Sequence, residues 1–160
     1  MSNYWPVPEW ISTQSYKQSP RSFGSNRSKG RVHAGCDLYA PLHSPVLAIT
    51  AGRVVESGFF YLGTSQLTID HGALGIIRYG EIAPEKIPKV GTLVIAGQQI
   101  GKIGSLGRGI HPMLHIEHYS GRSTGSVTNL KNAPYFRRGD LLDCTKLLDS
   151  LLCLRSKECK

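Results

Sequence analysis

The sequence predicts a mainly β protein, an antiparallel sheet or sandwich closed by one short C-terminal helix. Short β-branched and apolar runs recur between glycines through the middle of the chain, the mark of strands joined by tight turns. A chain of 160 residues with 40% hydrophobic side chains buries one core rather than two. Near the end, the apolar spacing changes to that of a helix.

Taken in order, residues 1–30 are rich in Pro, Ser, Asn, Gly and aromatics without a period, and read as an arm or loop ordered by docking. Strands are expected at 46–51, 53–57, 66–70, 75–79, 92–96, 99–103 and Met113–Tyr119, each an apolar run bounded by turn residues. Over 140–154, Leu147, Leu148, Leu151 and Leu152 share one helical face, so this segment packs on the sheet before the charged tail from Arg155 to Lys160. The expected division is an arm region at 1–30, a core domain at 31–145, and a helix with tail at 146–160.

No apolar run reaches the ~18 residues of a membrane span, so no transmembrane segment is expected. The first twenty residues lack a basic stretch followed by an apolar one, so the chain is expected to be made without an ordinary secretory signal. A target outside the cytoplasm would then be reached by lysis or by a dedicated secretion machine. The 19 basic against 11 acidic residues give a formal charge of +8, which favours a polyanionic partner: cell wall, membrane surface or nucleic acid. Nucleic acid is not expected, because the cations scatter over 17–31, 86–108 and 122–160 with no helix-turn-helix or zinc-finger spacing. A merely cationic surface is the plainer alternative. Cysteines 36, 144, 153 and 159 form no Cys-x-x-Cys pair, which speaks against a structural zinc knuckle. Cys153 and Cys159 could pair across a short loop; the plainer reading of all four is buried or free thiols of a reducing compartment.

The chemistry gathers in two stretches. Residues 30–41, Gly-Arg-Val-His-Ala-Gly-Cys-Asp-Leu-Tyr-Ala-Pro, place His33 and Asp37 four residues apart beside Gly35. Far along the chain, strand alternation puts Met113, His115 and Glu117 on one side and Leu114 and Ile116 on the other. Two imidazoles and one carboxylate suit a catalytic zinc, which keeps a fourth position for water and makes that water acidic enough to attack near neutral pH. A lone strand His is more often structural, and His-x-x-x-Asp is a short pattern, so these residues alone leave both readings open.

Five motifs in one order add to this: His33 to Pro41, Ala-Gly-Arg-Val at 51–54, Ile-Asp-His-Gly at 69–72, Ala-Gly-Gln-Gln-Ile-Gly at 96–101, and Leu114-His115-Ile116-Glu117. Together, over roughly residues 21–145, they resemble the lysostaphin-type (LytM-like) zinc metallopeptidases that cut peptidoglycan peptides. The resemblance implies a LytM-like core with a cleft, zinc as cofactor on His33, Asp37 and His115, peptidoglycan as partner, and His71 and Tyr79 at the cleft. A structural role is the alternative for His71. Two departures stand out: Met113 replaces the first His of the family's His-x-His, and Tyr79-Gly80-Glu81 replaces its Tyr-x-His. A thioether moves no proton, but a carboxylate is the general base of other zinc peptidases, so Glu81 is the expected base. His111 is the candidate electrophilic helper, with an exposed loop His as its alternative; His43 and His118 read as surface residues.

The expected function is therefore a zinc-dependent peptidoglycan endopeptidase, acting as an antibacterial effector or a phage lysin in the periplasm or cell wall. In the effector case an immunity protein is the expected partner. The alternative is a catalytically degenerate module that binds peptidoglycan or activates another hydrolase. A nucleic-acid-binding β-barrel fits the charge but leaves the metal motif unexplained.

Overall fold

In the computed structural model, which describes residues 2–156, nine strands and one α-helix follow one another. They are β1 (Cys36–Tyr39), β2 (Pro45–Leu47), β3 (Gly52–Phe59), β4 (Ser65–Asp70), β5 (Ile76–Ile82), β6 (Leu93–Val94), β7 (Gln99–Lys102), β8 (Met113–Tyr119), β9 (Leu141–Leu142) and α1 (Thr145–Ser156). All pairings are antiparallel. One sheet runs β1-β8-β5-β4-β3-β6, with β9 also on β8, and β2 pairs with β7 in a second. The mainly antiparallel fold with one C-terminal helix is the class expected from the sequence.

Period-two alternation gives the large sheet two unlike faces. Cys36, Leu38, Leu67, Ile69, Ile77, Tyr79, Leu114 and Ile116 join one core with Val46 and Ile100 of the small sheet. On the opposite face stand Asp37, Arg78, His115 and Glu117, all buried although polar.

Two strands escaped the sequence reading. β1 is only four residues long and carries a charged residue at its centre; its pairing with β8, Asp37 opposite His115, is a long-range contact. β9 takes the first residues of the expected helix. β1 covers β8 only as far as Ile116, and Leu141 and Leu142 pair with the remaining Tyr119 and His118. The helix therefore begins at Thr145, whose backbone N–H donates to Asp143 Oδ1 at 2.9 Å, a side-chain cap. Its buried face is Leu147, Leu148 and Leu151, with Leu152 half-buried.

The N-terminal segment packs into the core. Trp5, Val7 and Tyr16 are buried, and the rings of Trp5, Trp10 and Tyr16 stack within 5.0–6.1 Å of one another. Its backbone extends both sheets, Leu47 N–H donating to Pro6 O at 2.8 Å and Ile11 N–H to Tyr39 O at 2.8 Å. Cys36 and Cys144 are free, buried thiols, whereas Cys153 is disulfide-bonded, which corrects the thiol reading at that position. The expected partner, Cys159, lies outside the described residues. Among the described residues no helix is long and apolar enough to cross a membrane.

Leu148 is fully buried between α1 and the sheet. Leu148→Ala is expected to destabilise the protein by about 2–5 kcal/mol through lost burial and a residual cavity. Urea unfolding followed by circular dichroism checks this, and an unchanged midpoint would show that α1 does not contribute to the core.

Candidate metal centre

The site forms where the segment before β1 crosses the polar face of β8. The crossing is close: a Cβ on Gly35 would lie 2.1 Å from the Ile116 carbonyl oxygen and 2.9 Å from His115 Cε1, so only glycine fits. His33 is held by residues of the N-terminal segment. Its N–H donates to Ser25 O, its carbonyl accepts from Gly24 N–H, and its ring Nδ1 lies 2.9 Å from Ser22 O.

Three ligand atoms then converge. His33 Nε2 is 3.1 Å from Asp37 Oδ1 and 3.1 Å from His115 Nδ1, and the latter two are 2.9 Å apart. The outer hydrogen bond of each ring fixes which nitrogen faces inward. The Ser22 carbonyl can only accept, so His33 Nδ1 carries the proton and Nε2 presents a lone pair. His115 Nε2 faces the Glu117 carboxylate at 2.9 Å, so it donates there and Nδ1 points inward. With neutral rings, two imidazole lone pairs and a carboxylate oxygen face one another with no donor among them, which asks for a cation. Nitrogen and oxygen donors of this kind suit zinc, and atoms about 3 Å apart can share an ion at the usual ~2.0–2.2 Å.

The electrostatics agree. Burial pushes the Asp37 carboxyl up, but hydrogen bonds from His115 and His33 prevail and bring it down to about 2. Burial pushes His115 down, yet the Asp37 and Glu117 carboxylates raise it to about 10. A proton thus fills the gap that a metal would fill, and metal binding displaces it.

Glu117 holds His115 from behind. It is fully buried and touches four groups: His115 Nε2, Arg78 Nη1 at 3.5 Å, Arg137 Nε at 2.8 Å, and the Tyr119 hydroxyl, which donates to Oε2. Burial alone would raise its pKa, but the hydrogen bond from His115 and the charges of Arg78 and Arg137 hold it well below the usual range. Partners of this kind fix ring orientation and typically affect metal affinity ~10–100-fold. Glu117→Gln is therefore expected to weaken zinc binding by about that factor in a competition titration with a chelator. Unchanged affinity would mean that His115 is oriented by packing alone.

A backbone irregularity brings Glu81 to the same cleft. By alternation, Tyr79 faces the core, Gly80 the site, and residue 81 would face the core again. Instead Glu81 takes a left-handed φ of 62°. The register between β4 and β5 slips there, with Ser65 opposite Ile82 but Leu67 opposite Tyr79, so β5 holds one extra residue, a β-bulge. Ile82 thereby returns to the core while Glu81 lines the cleft. Its Oε2 is buried without a hydrogen-bond partner. Burial pushes the carboxyl up to about 7, against the opposing pull of His115.

The cleft has a volume of about 720 Å³ and is walled by Tyr39, Phe60 and Tyr135, with Met113 beside His115 on β8. The Phe60 ring lies 5.7 Å from that of His115 and so close to Gly80 that a Cβ there would meet it at 2.7 Å. Other expected site residues fall elsewhere. Tyr79 is fully buried on the core face; its hydroxyl accepts from Ile49 N–H at 3.0 Å and lies 2.9 Å from His71 Nε2. Neither Tyr79 nor His71 is among the residues that line this cleft. His111 is exposed and stacks on Tyr39 with ring centroids 5.1 Å apart, outside the cleft lining. Arg27, Arg137 and Phe60 line the cleft without having been singled out in the sequence, since no local motif marks them.

Comparison with known proteins agrees with this geometry. The model of Peptidase family M23 matches residues 31–129. Lysostaphin of Staphylococcus simulans is 31% identical over 140 residues, covering 82% of this chain and 28% of that protein. The peptidoglycan DD-endopeptidase ShyC of Vibrio cholerae is 30% identical over 99 residues, covering 62% of this chain and 23% of that protein. The chain thus spans less than a third of the length of these relatives. Among solved structures, the catalytic domain of S. simulans lysostaphin superposes with a TM-score of 0.61 at 26% identity, covering 80% of this chain and 89% of that one. A match of the family model to more than half of this chain, with the metal cluster inside the matched span, establishes that the chain belongs to peptidase family M23.

Proposed function

We propose that this protein is a zinc-dependent peptidoglycan endopeptidase that hydrolyses amide bonds in wall cross-links or stem peptides. One observation carries the reading: three converging ligand atoms and an unpartnered, buried carboxylate oxygen open into the same cleft. The activity of a relative of this chain, the peptidoglycan DD-endopeptidase of V. cholerae, supports the substrate class.

His33 Nε2, Asp37 Oδ1 and His115 Nδ1 would hold the ion. When bound, zinc supplies a Lewis acid that polarises the scissile carbonyl and acidifies water. Glu81 accepts the proton of the attacking water at its carboxylate and hands it to the leaving amine, the role a base with a pKa near operating pH performs best. Its burial keeps the carboxylate out of competition with bulk water. Phe60 and Tyr39 wall the cleft and position the peptide. Met113 carries no proton, so acid and base work both fall to Glu81.

We assign the site of action to the cell wall or periplasm, in the setting of an antibacterial effector with an immunity protein or of a phage lysin. The formal charge of +8 supports an anionic wall polymer as the surface first met. Binding to sacculi is accordingly expected to weaken several-fold as salt rises well past the ~0.15 M at which the Debye length is ~8 Å. A salt-independent pull-down would leave the charge without a role. The activity itself is tested by incubating zinc-loaded protein with sacculi and labelling new amino groups. Amines that appear with zinc and vanish with a chelator support the reading; binding without new amines would establish the non-cutting module instead.

A further inference from the structure

Four arginines line the cleft: Arg27, Arg31, Arg78 and Arg137. Two are committed. Arg78 is paired with Glu117 at 3.5 Å and Glu56 at 3.4 Å, and Arg137 with Glu117 at 2.8 Å. The acidic lining is committed as well, Asp37 to the metal cluster, Glu56 to Arg78 and the Val127 N–H, and Glu81 to proton transfer. Arg27 in turn pairs with Asp37, so the spare charge of the cleft is the one carried by Arg31.

It is also built into place. Arg27 and Arg31 flank a tight turn at Ser28–Gly30, with Arg27 anchored on Pro20 O at 2.7 Å. Arg31 is exposed, and its guanidinium lies over the Phe136 ring at 5.9 Å. Phe136 adopts a left-handed φ of 56°, and its loop is tied to this segment by Val32 N–H donating to Pro134 O at 3.1 Å. Among the described residues the Arg31 side chain makes no hydrogen bond or ion pair, so its full fork of donors is available to a ligand in the cleft.

We propose that Arg31 binds a free carboxylate of the peptide substrate, so that the enzyme selects acidic stem peptides over uncharged ones. This rests on the peptidase reading. A guanidinium matches a carboxylate in geometry and charge, and contacts of this kind are among the stronger hydrogen bonds.

The test uses two synthetic cross-linked stem peptides that differ only in whether the glutamyl carboxyl is free or amidated. Zinc-loaded protein is expected to cleave the acid with a kcat/KM about 10-fold higher, chiefly through KM. Arg31→Gln is expected to bring the two peptides to the same kcat/KM, and Arg31→Lys to restore part of the difference. Equal rates with the unaltered protein would overturn the carboxylate subsite alone. Cleavage of neither peptide, at one zinc per chain, would overturn the peptidase reading and this one with it.

Behind the metal centre, Cys36 Sγ and Cys144 Sγ lie 3.0 Å apart, both fully buried, one on β1 next to Asp37 and the other just before α1. We infer that this pair is a disulfide site that ties β1 to the start of α1. Formation removes two protons and two electrons from the thiols, joins the sulfurs, and reduces a disulfide oxidant such as oxidised glutathione to two thiols. Because both sulfurs are buried, the exchange takes place before α1 closes over β1. Refolding the reduced, denatured chain in a glutathione buffer, followed by digestion and mass spectrometry without reductant, is expected to yield a linked pair of peptides carrying Cys36 and Cys144, lighter by two hydrogens. Recovery of both cysteines in alkylated form, or of either in another pairing, would overturn it.

Discussion

Replacing His33, Asp37 or His115 by alanine is expected to abolish stoichiometric zinc binding and, with it, wall digestion. Each removes one of three ligand atoms that lie within 4.8 Å of one another, and no other group of this kind occurs among the described residues. The fold should persist, because the core lies on the opposite face of the sheet and does not use these side chains. Thermal unfolding separates the two effects. Zinc raises the midpoint of any protein that binds it only when folded. The unaltered protein should therefore show a zinc-dependent rise that the three variants lack, while their metal-free midpoints stay close together. Normal digestion by any one of them would refute a mechanism that depends on this cluster.

Glu81→Gln is expected to lower turnover by about 10²–10⁴-fold while leaving zinc affinity near that of the unaltered protein, since the substitution removes the proposed base and touches no proposed ligand. The pH dependence supplies a second signature. Burial holds the carboxyl near 7 in the metal-free site, and a dication beside it favours the charged form, so the rate should rise with pH on a limb at or below about 7. The Gln variant should lack that limb. Stability gives a third, with a sign that a structural role would not produce. A carboxyl raised from its usual 4.5 to about 7 means that the metal-free folded state binds more protons than the unfolded state between those values. Folded-state stability is therefore lost as pH rises through that window, and Glu81→Gln should be more stable than the unaltered protein at pH 8. A variant that is both active and less stable would assign Glu81 to the scaffold.

The elements legible in the sequence are those whose signal is local. Met113–Tyr119 is found at its predicted bounds because Leu114, His115, Ile116 and Glu117 alternate apolar and polar at its centre. His33, Asp37 and His115 are legible because the motifs that hold them stand in one order with three others, a pattern that the short His-x-x-x-Asp spacing alone does not supply. What escaped depends on contacts distant in the chain. β1 is defined by β8, and β9 exists because β1 stops short of the end of β8. Tyr79 adjoins the motif of Glu81 in sequence but faces the core, and only the bulge at Glu81 separates their surroundings. Arg137 reaches Glu117 across 20 residues, and Ser22 reaches His33 across 11, with no spacing that announces either contact.

Mass spectrometry of muropeptides released from intact sacculi tests the central claim most directly. Zinc-loaded protein, at one ion per chain, is expected to convert cross-linked species into fragments that have gained one water per bond cut. The same preparation of Glu81→Gln should leave those species almost intact over the same interval. Cross-linked muropeptides that survive the unaltered protein, with zinc bound and the protein attached to the wall, would contradict the account.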